Sequence, residues 1–221
     1  MKPVRVDAMT RSALIVAHGQ PSDPDPAEAD MAILARTVAG HLPGWQVRAA
    51  TLAAPGALKT ALDGLDQPVI FPFFMADGWF IRTLLPKRLS EAGHGGLRVL
   101  TPFGLLPETK ALAIRTARAA LKESGWAEAG TTLILAAHGS GRSPYPAEAA
   151  RAIEGAIAAH TAFAAIRTGF IEEEPALADV ARGAGDDALC LPLFVARWGH
   201  VIGDIPEALD TAGFTGRRLD P

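Results

Sequence analysis

One cysteine, Cys190, stands in the 221 residues. A single thiol excludes an internal disulfide framework and fits a reducing compartment. It lies inside the apolar run 188–195, so a small buried hydrophobe is expected there. No apolar stretch approaches the roughly 18–20 residues of a membrane span. No apolar core follows the charges near the N-terminus, as a secretory signal would require. A cytoplasmic protein without a membrane partner is therefore expected. Basic charge is not in excess either: the net charge of −3 leaves no electrostatic footprint for nucleic acid or an anionic lipid surface. No Gly-x-Gly-x-x-Gly follows a strand, which removes the support for dinucleotide binding. A serine hydrolase would need Gly-x-Ser-x-Gly, but Ser140 is preceded two residues back by His138. A histidine phosphatase would need Arg before its His-Gly, and here Ala17 and Ala137 stand there. Low-complexity tracts are missing as well. What remains, 49% hydrophobic and 20% charged, is the composition of a chain able to bury a core.

What is present is a repeat. Sliding the sequence by 120 positions lays residues 13–93 over 133–213 without a gap, with 21 of 81 pairs identical and 13 after Ala–Ala matches are discarded. Ala17-His18-Gly19 falls on Ala137-His138-Gly139, and Pro24, Pro26, Pro55, Pro72 and Pro86 fall on prolines. A match of that length is a duplicated unit. The two copies can then be subtracted. The second carries Glu172, Glu173, Glu174 and His200, where the first has Leu52, Ala53, Ala54 and Phe80. Shared residues read as scaffold, and those of one copy alone read as chemistry.

Each copy alternates short apolar runs with Ala-rich amphipathic segments, an α/β pattern of parallel strands covered by helices. Strands are predicted near 12–17, 46–50, 68–74, 97–101, 132–137, 165–170 and 188–194. Helices are predicted near 27–42, 55–65, 81–92, 107–124, 146–160, 174–183 and 204–212. The last has Asp204 as its N-cap and Pro206 in its first turn. Helix 107–124 has no counterpart in copy two. Its apolar side is read as Leu112, Ile114, Ala117 and Leu121, packing between or across the lobes. A linker containing Gly125 and Gly130 sets the expected domains at 1–124 and 125–221, two similar lobes.

His138, Glu172 and His200 each follow a predicted strand of copy two. In an open parallel sheet, ligands bind outside the carboxyl ends of the strands. Two imidazoles and a carboxylate on one rim suit a divalent first-row metal with positions left open. Each residue also has a plainer reading. A histidine at a strand end can serve its own loop. The Glu run can be an acidic first helical turn complementing the dipole, although that does not explain its absence from copy one.

Three segments of copy two resemble the sirohydrochlorin chelatase family, the CbiX-like branch of the class II chelatases. They are Ala-Ala-His-Gly-Ser (136–140), Gly-Phe-Ile-Glu-Glu-Glu-Pro (169–175) and Leu-Pro-Leu-Phe-Val-Ala-Arg-Trp-Gly-His-Val with Asp-Ile-Pro (191–206). The resemblance covers both copies and implies two Rossmann-like lobes of the fused, duplicated type. It implies a lyase that inserts a divalent metal into sirohydrochlorin, for sirohaem or cobalamin. Fe2+ is favoured and Co2+ comes next; the metal is a substrate, and no organic cofactor is needed. It implies His138 and His200 as metal ligands and proton acceptors, since imidazole does both near neutral pH. Glu172 is the implied carboxylate, with Glu174 as the alternative in register. The substrate's carboxylates call for cationic or N–H partners, for which Arg142, Ser140 and Arg197 are the candidates, with His18 and Phe80 as further contacts from copy one. A monomer is expected, because duplication replaces a homodimer. The alternative is a tetrapyrrole or metal carrier that binds without turnover.

Overall fold

The computed structural model describes residues 11–221; residues 1–10, in which the sequence shows no signal-like apolar core, lie outside the described residues. The chain divides into two compact units. One comprises residues up to Pro72 together with Thr83–Leu100, the other Phe73–Arg82 together with Thr101–Pro221.

The first unit holds β1 (Arg11–Ala17), α1 (Pro24–His41), β2 (Trp45–Thr51), α2 (Ala57–Leu62), β3 (Val69–Pro72) and α3 (Leu85–Glu91). Its strands form a parallel sheet in the order β2-β1-β3. The strand expected at 97–101 is reduced to a single bridge, Ile70 to Val99. Pro102 follows closely and has no N–H to continue a ladder.

The second unit holds α4 (Pro107–Ser124), β4 (Thr132–Ala137), α5 (Tyr145–His160), β5 (Ala165–Phe170), α6 (Leu177–Ala181), β6 (Ala188–Pro192), α7 (Gly199–Ile202), α8 (Asp204–Thr211) and β7 (Arg217–Arg218). Its sheet is parallel, in the order β5-β4-β6-β7. Both faces of β4 are buried along its whole length, which explains its unbroken apolar sequence. Side chains of alternate residues face opposite ways. Leu133 and Leu135 pack with Ala117 and Leu121 of α4 and with Ile153 and Ile157 of α5. Ile134 and Ala136 pack with Leu177 of α6 and Ile205 and Leu209 of α8. Cys190 lies in this second layer, as expected, and burial pushes its thiol up to about 12.

Helix α4 has the predicted bounds but lies elsewhere than expected. It belongs to the second unit, and its buried face is Thr109, Ala113, Ala117, Ala120 and Leu121, whereas Leu112 is exposed. The small Ala side chains let the helix lie close on the sheet. Its join to the rest of the unit is partly ionic. Arg118 Nε donates to Glu128 Oε1 at 2.8 Å and the Ala162 N–H donates to Glu128 Oε2 at 2.8 Å. The Arg118 hydrogen bond, then that of Ala162, holds the Glu128 carboxyl below its usual value of 4.5. A carboxyl depressed in the folded state stabilises fully above its unfolded pKa, and this contribution is lost as pH falls through the folded value. Glu128→Gln is therefore expected to flatten the acid limb of stability, read from urea midpoints at neutral pH and at about pH 3. A variant with an unchanged acid slope would contradict this.

The structure also corrects the gap-free repeat. Ser12 pairs with Gln46, but Thr132 pairs with Ala165, one residue short of the 120-residue shift. Leu133 pairs with Leu189 as Ala13 pairs with Val69, so the shift is restored by the next strand. The turn after β5 is thus one residue longer than the turn after β2. That extra residue lies in the Ile171–Glu174 stretch.

Candidate active site

The chain steps from β4 out to β5 and then crosses back over β4 to β6 on its other side, so the sheet reverses its winding beside β4. The crevice at such a switch point is where open α/β sheets take ligands. His138 follows β4, the Glu run follows β5, and His200 follows β6 within the short helix α7.

The two imidazole rings meet there edge to face, with centroids 4.6 Å apart. Phe194 backs both, at 6.5 Å from His138 and 6.0 Å from His200. His138 Nδ1 stands 2.9 Å from the Gly139 carbonyl oxygen and His200 Nδ1 stands 2.7 Å from Asp204 Oδ2. Both partners are acceptors only, which assigns the proton to Nδ1 in each ring and leaves a lone pair on Nε2 when the ring is neutral. Glu172 Oε1 lies 3.8 Å from His138 Nε2. Among the described residues, no three His, Cys, Asp or Glu side chains stand close enough together to enclose an ion as they are. The arrangement is two ring nitrogens with a carboxylate at their edge.

The three glutamates divide their work. Glu172 is exposed and turned to His138. Glu173 reaches back under the loop, where its Oε1 accepts the Ser140 N–H at 3.2 Å. Glu174 Oε2 accepts the Ala176 N–H at 3.0 Å, closing the turn that leads to α6. None lies inside α6, which starts at Leu177, so the reading of the run as a first helical turn does not hold. Gly139 has φ of +72°, and a Cβ there would stand 2.8 Å from the Glu173 side chain and 2.9 Å from Phe170 Cβ. Only glycine lets the His138 loop close over Glu173.

Ser140 Oγ accepts the Arg142 N–H at 3.2 Å, and Ser140, Gly141, Arg142 and Glu172 line an open depression on the unit's surface. Arg197 is paired with Asp220 at 3.3 Å. Phe80, although it comes from the first copy, belongs to the second unit. Its ring lies 6.2 Å from Phe74 and 5.3 Å from Trp79. Arg82 stacks over Tyr145 with its guanidinium carbon 4.2 Å from the ring centroid. His18 belongs to the first unit, where its Nδ1 lies 2.7 Å from the Gly19 carbonyl oxygen, the same loop geometry as at His138.

Two residues escaped the sequence reading. Glu173 was hidden within the Glu run. Asp204 was read as an N-cap, but Gly203 holds that position and no side-chain cap is made. The carboxylate of Asp204 is spent on His200 instead. The repeat carried the signal, because Leu84 stands at the matching place in copy one.

A family model described as CbiX matches residues 132–218. Among solved structures, the chain is similar to CbiX, "the terminal enzyme for biosynthesis of siroheme in denitrifying bacteria". The two share 48% identity over 96% of this chain and 91% of that one, with a TM-score of 0.88. It is also similar in fold to a multi-domain Deinococcus radiodurans protein with structural similarity to chelatases (21% identity, 96% of this chain, 51% of that one, TM-score 0.71). SirB from Bacillus subtilis with Fe3+ shares the fold too (14% identity, 96% of this chain, 88% of that one, TM-score 0.74). No curated protein matches. No helix among the described residues is long and apolar enough to cross a membrane.

Proposed function

The chain belongs to the CbiX family, and from that premise and the rim of its C-terminal sheet we propose that it inserts a divalent metal ion into sirohydrochlorin. The observation that carries the reading is the pair of imidazoles 4.6 Å apart, each with its proton fixed on Nδ1 by an acceptor. Insertion replaces two pyrrole N–H protons by one divalent ion, so the site must present the metal and accept protons. His138 and His200 offer Nε2 for both tasks, one imidazole nitrogen being able to bind the ion before transfer and a proton after it. Glu172 closes on the ion from the His138 side and offsets its charge. Two nitrogens and one carboxylate leave coordination positions for the macrocycle's own nitrogens. Glu174 is left to its turn.

Sirohydrochlorin carries eight carboxylates, and an Arg fork suits a carboxylate well. Arg142 and Ser140, lining the depression beside Glu172, are the first anchors. Arg197 serves once it leaves Asp220. Phe80, which belongs to the same unit as the histidine pair, gives an aromatic edge. Fe2+ is the preferred ion, because the product named for the 48%-identical relative, siroheme, is an iron tetrapyrrole. Co2+ comes next, and donor type alone does not separate them. We place the enzyme in the cytoplasm as a monomer, the duplication standing in for a second subunit.

The test is anaerobic insertion followed by the absorbance of the macrocycle, with Fe2+ and Co2+ compared at matched concentrations. Rates well above the uncatalysed reaction, with the higher kcat/KM for Fe2+, are expected. A rate equal to background with both ions would leave the carrier reading in its place.

A further inference from the structure

Asp204 makes the two histidines unequal. The His138 ring is held by a neutral carbonyl, that of Gly139, at 2.9 Å. The His200 ring is held by a carboxylate at 2.7 Å, one helical turn ahead on the chain. A hydrogen bond to an ionised acceptor is stronger and raises the electron density of the ring, so its other nitrogen becomes the better donor. The position of Asp204 has no capping duty to explain it: no side-chain cap is made at the start of α8. Copy one lacks both members together, with Phe80 at the His200 position and Leu84 at the Asp204 position. The carboxylate is present where the histidine is present and absent where it is absent.

We propose that Asp204 is a positioning residue that fixes His200 as its Nδ1–H tautomer and makes His200 Nε2 the stronger metal donor of the pair. The inference rests on the chelatase reading for its biological meaning, but the His–Asp coupling can be measured without turnover. Ligand-orienting carboxylates of this kind are typically worth about 10–100-fold in metal affinity or activity.

The experiment has two arms on the full chain, using Asp204→Ala and the near-isosteric Asp204→Asn, with a His200→Ala background for each. In the first arm, long-range 15N NMR of the imidazoles reads the tautomer of His200 without metal. Wild type is expected to be protonated at Nδ1, and Asp204→Ala to shift toward Nε2. In the second arm, Co2+ is titrated alone and its affinity measured calorimetrically. Asp204→Ala is expected to weaken binding about 10–100-fold, and to weaken it no further when His200 is already Ala. An unchanged tautomer, or a loss of the same size with and without His200, would overturn the proposal and make Asp204 merely structural. Should Asp204→Ala fail to fold, Asp204→Asn decides in both arms. If both arms agree with the proposal while wild type inserts no metal into sirohydrochlorin, the chelatase reading fails and the positioning role stands.

Discussion

His200→Ala is expected to lower kcat for metal insertion by about 10²–10⁴-fold, the range for losing a positioned proton acceptor, with the ligand lost besides. The neighbours cannot replace it. Phe194 backs the ring but has no donor atom, and Asp204 faces Nδ1 rather than the metal side. The KM for sirohydrochlorin is expected to change little, because its carboxylates are assigned to Arg142 and Ser140. A fall in kcat with a steady KM marks an interaction used in the reaction rather than in binding. The fold should be indifferent, since the His200 side chain is 41% exposed and its removal leaves no closed cavity. Steady-state insertion kinetics and a thermal melt on the same sample check both halves. A variant that keeps wild-type kcat would remove His200 from the reaction.

The second large effect is on stability. Gly169 sits in β5, and a Cβ placed there would stand 2.4 Å from Val180 Cγ2 and 2.7 Å from Leu177 Cα. The second contact is with backbone, so a rotamer change cannot relieve it, and α6 must lift from the sheet. Overpacking of this kind costs about 1–3 kcal/mol, occasionally more. At about 2–4 °C per kcal/mol for a chain of this size, Gly169→Ala should lower Tm by several degrees. Activity should fall as well, because β5 runs directly into the turn that carries Glu172. Gly155→Ala is the matched control. In the exposed face of α5 nothing lies within 4 Å of the added Cβ, and Ala favours the helix. Its Tm should hold or rise. Equal melting temperatures for the two variants would contradict the close packing of α6 on β5.

These effects trace what the sequence could and could not convey. The six main strands were legible in the sequence, and the subtraction of the two copies pointed to Glu172 and His200, which follow strands of the same sheet as His138. The one-residue slip was not legible, because a deletion before β5 and an insertion after it cancel in the alignment; only strand register exposes it. Helix α4 was read with its bounds correct, but an amphipathic stripe does not name the sheet it covers. Of the expected stripe, Ala117 and Leu121 pack and Leu112 is exposed, and the buried face extends instead to Thr109, Ala113 and Ala120. The segment Phe73–Arg82 follows a strand of copy one and yet joins the second unit, for which no local pattern gives a sign. In sequence, an acidic residue two before a proline is an ordinary helix start, and that pattern hides the bond from His200 to Asp204. The alternative, a carboxylate one turn after a histidine, has the same spacing and a different meaning.

The central claim is that this chain turns over metal rather than storing it. The most direct measurement is the number of metallated macrocycles formed per chain when Fe2+ and sirohydrochlorin are both in large excess under anaerobic conditions, with wild type and the His138→Ala/His200→Ala double variant run together. Many equivalents per wild-type chain, falling to the uncatalysed background in the double variant, is the predicted result. A wild-type yield that stops at one equivalent per chain, or a double variant as productive as wild type, would contradict it.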